Sequence, residues 1–167
     1  MGLITKLQAV NQMLLSSGEN LVSDLEGESG IDTAIAETIL EQTSLDYQLR
    51  GIAANKYVKK IELKSDGYIA LPTPDSDEEG ILAVELLSSH TAADNAREIQ
   101  ARVLNNASPA RLWNITDDTD IWVATKGPYY VEFTMKLPWE NIETPIQRAI
   151  LATAMRHYQS ITQGDEA

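Results

Sequence analysis

The chain has 167 residues, of which 43% are hydrophobic and 23% charged, and it contains no cysteine. That length suits a single domain with its own core, and the missing thiol excludes disulfides, thiolate chemistry and cysteine-based zinc sites. With 25 acidic against 13 basic side chains the net charge is −12, a field that repels a phosphate backbone and disfavours groove binding of DNA. Acidity also serves solubility, and in a ring of copies an acidic lumen lets DNA pass without sticking. No apolar stretch approaches the roughly 20 residues of a membrane span. The start "MGLITKLQAVNQML" reads as neither a signal peptide nor a myristoylation site, so synthesis in the cytoplasm is expected.

In chain order, Thr5 and Gln8 match a capping box. Leu7, Val10, Met13 and Leu14 then fall on one helical face, and Gly18 ends the helix, predicted over about 5–17. A second helix is expected over about 31–50, capped by Ser29 or Asp32, striped by Ile31, Ala34, Ile35, Ile39, Leu45 and Leu49, with Gly51 just past its end. The period then changes to two. "KKIELKSDGYIALP" predicts two short strands about an Asp66-Gly67 turn. "GILAVELLSS", "QARVLNN", "RLWNI", "DIWVATK" and "YYVEFTMKL" extend this into a meander over about 58–137, with 91–99 read as a short helix. The third helix, about 145–162, has Thr144 as cap, Pro145 in the first helical position and Gln147 completing a second capping box. Its stripe is Ile146, Ala149, Ile150, Thr153, Ala154, His157, Tyr158 and Ile161, and a polar, flexible tail occupies 162–167. The pattern predicts an α+β fold: one domain over 1–167, a small three-helix bundle with an inserted antiparallel β-region of short strands.

Site chemistry is sparse. His157 lies on an apolar stripe and reads as a partly buried structural imidazole, while Ser88, Ser89 and His90 lack the surroundings of a nucleophile elbow. "DSDEEG" begins like a calcium loop, but its twelfth position is Leu86 where a bidentate glutamate is needed, so a solvated acidic loop is favoured. "DDTD", Asp117 to Asp120, reads as a polar hairpin turn. Trp113 and Trp122 sit in predicted strands and read as packing residues before sugar platforms, with Trp139 the third tryptophan. No phosphate-cradling glycine loop is present. No cofactor, metal site or catalytic residue is indicated.

"ITKLQAVNQMLLSSGENLVSDLEG", "DTAIAETILEQTSLDYQLRGIAANK", "DGYIALP", "RLWNITDDTDIW" and "LPWENIETPIQRAILATAMRHYQ" follow one another in an order that resembles tail tubular protein A, the head-to-tail adaptor family of short-tailed bacteriophages, the podoviruses. Where that family usually carries an aromatic-rich motif after its second helix, "GIAANK" keeps Gly51 and Asn55. The resemblance implies a structural virion protein without enzymatic activity. Such a protein forms a ring of twelve copies under the portal protein and carries the nozzle, tail tubular protein B, with tail fibres near that junction. DNA passes through it during ejection without specific binding, and no membrane is involved. Thr162, Gln163, Gly164, Asp165, Glu166 and Ala167 are expected to contact the portal or a neighbouring subunit. Asp75, Asp77, Glu78, Glu79, Asp117, Asp118 and Asp120 are expected to face the channel or the nozzle. On the residues alone, a glycan hydrolase using an Asp/Glu pair and an unrelated monomeric binding module stay open.

Overall fold

The computed structural model describes residues 3–25, 30–61, 63, 66–71, 80–87, 101–104, 111–122, 129–162 and 164. The chain folds as two compact units: Met1–Ala54 with Leu137–Ala167, and Asn55–Lys136. The first is helical and the second is built from antiparallel strands, the α+β arrangement that the period change predicts.

The helical unit contains α1 (Lys6–Ser16), α2 (Ile31–Leu49) and α3 (Thr144–Thr162). The Thr5 and Gln8 capping box closes the start of α1. Its end is a Schellman turn, in which Glu19 N–H donates to Leu14 O at 3.0 Å and Gly18 N–H to Leu15 O at 3.2 Å. That geometry needs the left-handed backbone of Gly18, φ 81°. Gly51, also left-handed at φ 79°, lies just past the end of α2 and donates its N–H to Gln48 O at 3.0 Å. The core joins Val10, Met13 and Leu14 of α1 to Ile39 and Leu40 of α2 and to Ile150, Leu151, Ala154 and Tyr158 of α3, with Trp139 and Ile142 beneath them.

The helices differ from the sequence reading in four ways. Gly30 stands at the N-cap of α2, with no side-chain cap, in place of Asp32; Ser29 lies outside the described residues. α2 buries Thr33, Ala36, Ile39, Leu40, Thr43, Ser44 and Gln48 while Ile31, Ala34 and Leu49 are exposed. Small hydroxyl residues tolerate that burial because the helix supplies their partner, as where Thr43 Oγ1 donates to Ile39 O at 2.7 Å. In α3 the buried set is Gln147, Ile150, Leu151, Ala154 and Tyr158, and Ala149, His157 and Ile161 are exposed. His157 is thus a solvent-facing residue. The helix also begins one residue early, at Thr144, with Glu143 O accepting from the N–H groups of Ile146 and Gln147.

In the second unit, β1 (Lys56–Ile61) and β2 (Ile81–Leu87) flank β5 (Tyr129–Met135), both antiparallel to it. β3 (Ala101–Leu104) pairs with β4 (Arg111–Asn114) in a separate hairpin. This is not a sequential meander. The segment after the Asp66-Gly67 turn bridges Ile121 and Arg111, and β1 instead pairs with the far strand β5. Gly67 explains part of this choice. Its carbonyl accepts from Trp122 N–H at 2.6 Å, and a Cβ there would stand 3.1 Å from Ile121 Cγ2. The core of this unit gathers Ile69, Leu71, Leu112, Trp122, Tyr129, Val131 and Phe133. Residues 91–99, read from the sequence as a short helix, lie outside the described residues.

Two substitutions test the helical core. Ile150 is fully buried, so Ile150→Asp is expected to cost about 4 kcal/mol or more and to leave little folded soluble protein, read by circular dichroism and expression yield. The Tyr158 hydroxyl is buried without a hydrogen-bond partner among the described residues, so Tyr158→Phe should shift stability by no more than about 1 kcal/mol at neutral pH. Burial first, then the charges of Asp32 and Glu19, raise the Tyr158 pKa above its ordinary 10.0. The unfolded chain therefore loses this proton before the native one does, and native stability falls as pH rises past 10. Urea denaturation against pH should show the wild type losing ground to Tyr158→Phe only in that alkaline range.

Candidate interaction surfaces

Three side-chain amides hold the non-helical backbone of the helical unit, each binding both the N–H and the carbonyl of one residue. Asn11, on α1, accepts from Val22 N–H and donates to Val22 O, both at 2.9 Å. Gln48, in the last turn of α2, accepts from Leu137 N–H at 2.6 Å and donates to Leu137 O at 3.2 Å. Gln147, fully buried on α3, accepts from Ile4 N–H at 3.2 Å and donates to Ile4 O at 3.3 Å and Trp139 O at 2.8 Å. The Trp139 indole N–H adds a bond to Ile4 O at 2.7 Å. The strand-to-helix passage "LPWENIETP" therefore turns through a single 3-10 turn, Trp139–Asn141, against the segment that precedes α1. Gln147 serves in this anchor and not in a capping box. The signal for it in the sequence is its register: it shares the buried stripe of α3 with Ile150, Leu151, Ala154 and Tyr158. Gln48 and Asn11 give no local signal in the sequence, each being one polar residue inside a helix.

Of the seven acidic residues expected to face a channel, Asp75, Asp77, Glu78 and Glu79 lie outside the described residues. The other three form the turn after β4. The Asp117 carboxylate accepts from Asn114 Nδ2 at 2.9 Å, and Asp120 pairs with Arg111 at 3.1 Å. Asp118 takes the left-handed position, φ 53°, and is exposed. The turn thus spends two of its three charges internally. Gln163, Asp165, Glu166 and Ala167 also lie outside the described residues. Thr162 belongs to α3, where its Oγ1 meets Tyr158 O at 3.0 Å and Ser17 Oγ at 3.1 Å, so it is not part of a loose tail. Trp122 and Trp139 are buried, and Arg102 lies over Trp113 with its guanidinium 5.8 Å from the ring centroid. Leu86, at the twelfth position of the calcium-like stretch, is a strand residue packed against the second core. Among the described residues no three His, Asp or Glu side chains gather to hold a metal ion, and no helix is long and apolar enough to cross a membrane.

What the molecule does offer is surface. Gln159 Nε2 donates to Ser16 O at 3.1 Å, which brings the ends of α1 and α3 together, and exposed Leu15 and Ile161 lie at those ends. In the other unit, five of the six residues of β1 are exposed, and the strand is an edge of its sheet among the described residues. A sequence profile for the family described as Tail tubular protein matches residues 7–167. The chain belongs to the tail tubular protein family. No curated protein matches it. As a tail tubular protein it is a structural component of the bacteriophage virion tail, where it assembles into tail complexes. The residues with defined roles in it are accordingly anchors and edges. Gly51 and Asn55, retained from the motif after the second helix, fit this pattern: Asn55 is buried and donates from Nδ2 to Met135 O at 3.0 Å.

Replacing Gln147 by Leu removes the partner of the Ile4 N–H and of the Trp139 carbonyl, while the Ile4 carbonyl keeps the Trp139 indole N–H, and is expected to cost about 3 kcal/mol. Gln8→Leu, which removes only an exposed capping contact, should cost about 1 kcal/mol or less. Urea midpoints of the two variants check the contrast.

Proposed function

We propose that this tail tubular protein is the head-to-tail adaptor: a ring of copies, twelve by family resemblance, that joins the portal to the nozzle and bounds part of the DNA ejection channel. The observation that carries the reading is the family match over residues 7–167, taken with the five quoted segments that follow the order of tail tubular protein A. The fold supports it by what it invests in. Side-chain amides fix the backbone of the helical unit, while exposed apolar side chains such as Ile31, 79% exposed, remain to be covered by partners. Portal and nozzle are the partners of the ring, tail fibres attach near the nozzle junction, and DNA moves through without specific binding. The acidic side chains of the loops, Asp118 among those described, keep the channel wall or its rims unattractive to a phosphate backbone.

Particles made without this chain should contain filled heads that lack a nozzle, and purified protein should restore nozzle attachment in vitro. Heads that acquire nozzles normally in its absence overturn the adaptor reading. Truncation after Thr162 removes residues 163–167 and should leave the melting temperature within about 1 °C while lowering attachment to portal-bearing heads. Full attachment by the truncated protein removes the tail from the contact.

A further inference from the structure

α2 carries two faces. One, with Ala36, Ile39 and Leu40, belongs to the core. On the opposite side Ile31, Ile35, Thr38, Gln42, Leu45 and Leu49 recur at alternating steps of four and three residues, the spacing of a coiled-coil seam. None of the six is buried. Ile31 and Leu49 are more than half exposed, Thr38 and Gln42 are exposed, and Ile35 and Leu45 are half-buried. Asp32, Glu41 and Asp46 stand at the positions that flank such a seam, and α2 contains no Lys or Arg. The outer face of α3 has the opposite sign. Arg148, Ala149, Ala152 and Arg156 are all exposed there, and no acid occurs between Thr144 and Thr162. Arg156 lies along that face, its Nε donating to Ala152 O at 3.3 Å.

We infer that the outward seam of α2 docks on the outer face of α3 in a second copy of this chain. Charge commits it to that occupant: α2 frames its apolar seam with acids, and the chain itself supplies the exposed arginines that match them. Pairing α2 with α2 sets acid against acid, and pairing α3 with α3 sets arginine against arginine, so both self-pairings are disfavoured. Ala149 and Ala152 leave room for the branched side chains of the seam, where larger residues would hold the two helices apart. Because α1, α2 and α3 share one core, α2 and α3 turn different sides outward, and each copy offers both halves of the contact at once. Such a contact is heterologous, the kind that generates a ring when its rotation closes. The inference rests on the adaptor reading, since it supplies the subunit contact of that ring.

The absence of cysteine makes the test direct. Gln42→Cys and Ala152→Cys lie near the middles of the two helices, so they meet whether the helices pack parallel or antiparallel. The double variant is treated with a short bis-maleimide in assembled tails. A ladder of covalent multimers of this chain is expected from it, and only monomer from either single variant. A double variant that enters tails but stays monomeric, or links only to another virion protein, overturns the inference and leaves the adaptor reading standing. Dimer from a single variant overturns it as well, in favour of a symmetric contact. Absence of the wild-type chain from purified tails overturns both readings. As a second measurement, Ala149→Trp with Ala152→Trp fills the exposed α3 face and should lower incorporation into tails about tenfold while circular dichroism stays native. Gln12→Trp, a like change at an exposed position of α1, should leave incorporation unchanged. Normal incorporation of the double tryptophan variant, or equal loss from Gln12→Trp, counts against the α2–α3 joint.

Discussion

An amide side chain carries the same N–H and carbonyl pair as the backbone, and the helical unit uses this likeness three times. Helices satisfy their own peptide groups, but the segments that lead into and out of them do not. Val22, Leu137 and Ile4 each belong to such a segment, and each has both groups bound by one side chain. Leaving both groups of one fully buried peptide unpaired costs about 2–6 kcal/mol, an upper bound for these half-buried residues. Burying a leucine side chain in place of the amide gains about 1.5–3 kcal/mol. The amide is favoured at such a position, and the core around Gln147 is built to enclose it.

The same comparison explains what the sequence reveals and conceals. Thr5-Lys6-Leu7-Gln8 and Thr144-Pro145-Ile146-Gln147 carry one pattern at two helix starts. The first is a capping box with Gln8 exposed; in the second, glutamine faces the core and binds across the bundle. Local spacing cannot separate them, but register on the buried stripe can. Helix ends marked by Gly18 and Gly51 were legible because a left-handed residue is a local demand. The α2 stripe was not, because its buried Thr33, Thr43 and Ser44 look polar to any hydropathy pattern. Strand existence was readable from the alternation of period two. Strand partnership was not, since β1 and β5 are brought together by the aromatic contact of Tyr57 with Phe133, 5.3 Å apart, across most of the second unit.

The surfaces were less legible than the core. An acidic turn looks like free charge in a sequence, yet Asp117 and Asp120 hold the turn and its arginine together. Solvent exposure of apolar residues at helix ends is likewise hidden: Ile31 and Ile161 are exposed, yet both fall on the apolar periodicity of their helices. The family resemblance lies in the order of whole segments, and the profile match spans residues 7–167. It did not come from any single cluster of side chains.

The helical unit is assembled from two stretches of chain, Met1–Ala54 and Leu137–Ala167, and its core is shared by all three helices. During synthesis α1 and α2 leave the ribosome first, while α3, which supplies Ile150, Leu151, Ala154 and Tyr158, arrives only at the end. Until then Val10, Met13, Leu14 and Leu40 have a groove and no helix to fill it. Closing that groove brings together residues separated by the whole second unit, an entropic cost that grows with loop length unless the intervening strands have already folded and shortened the loop. The nascent protein thus carries a sticky helical pair through most of its translation, and the last nineteen-residue helix acts as the latch that makes it safe from aggregation.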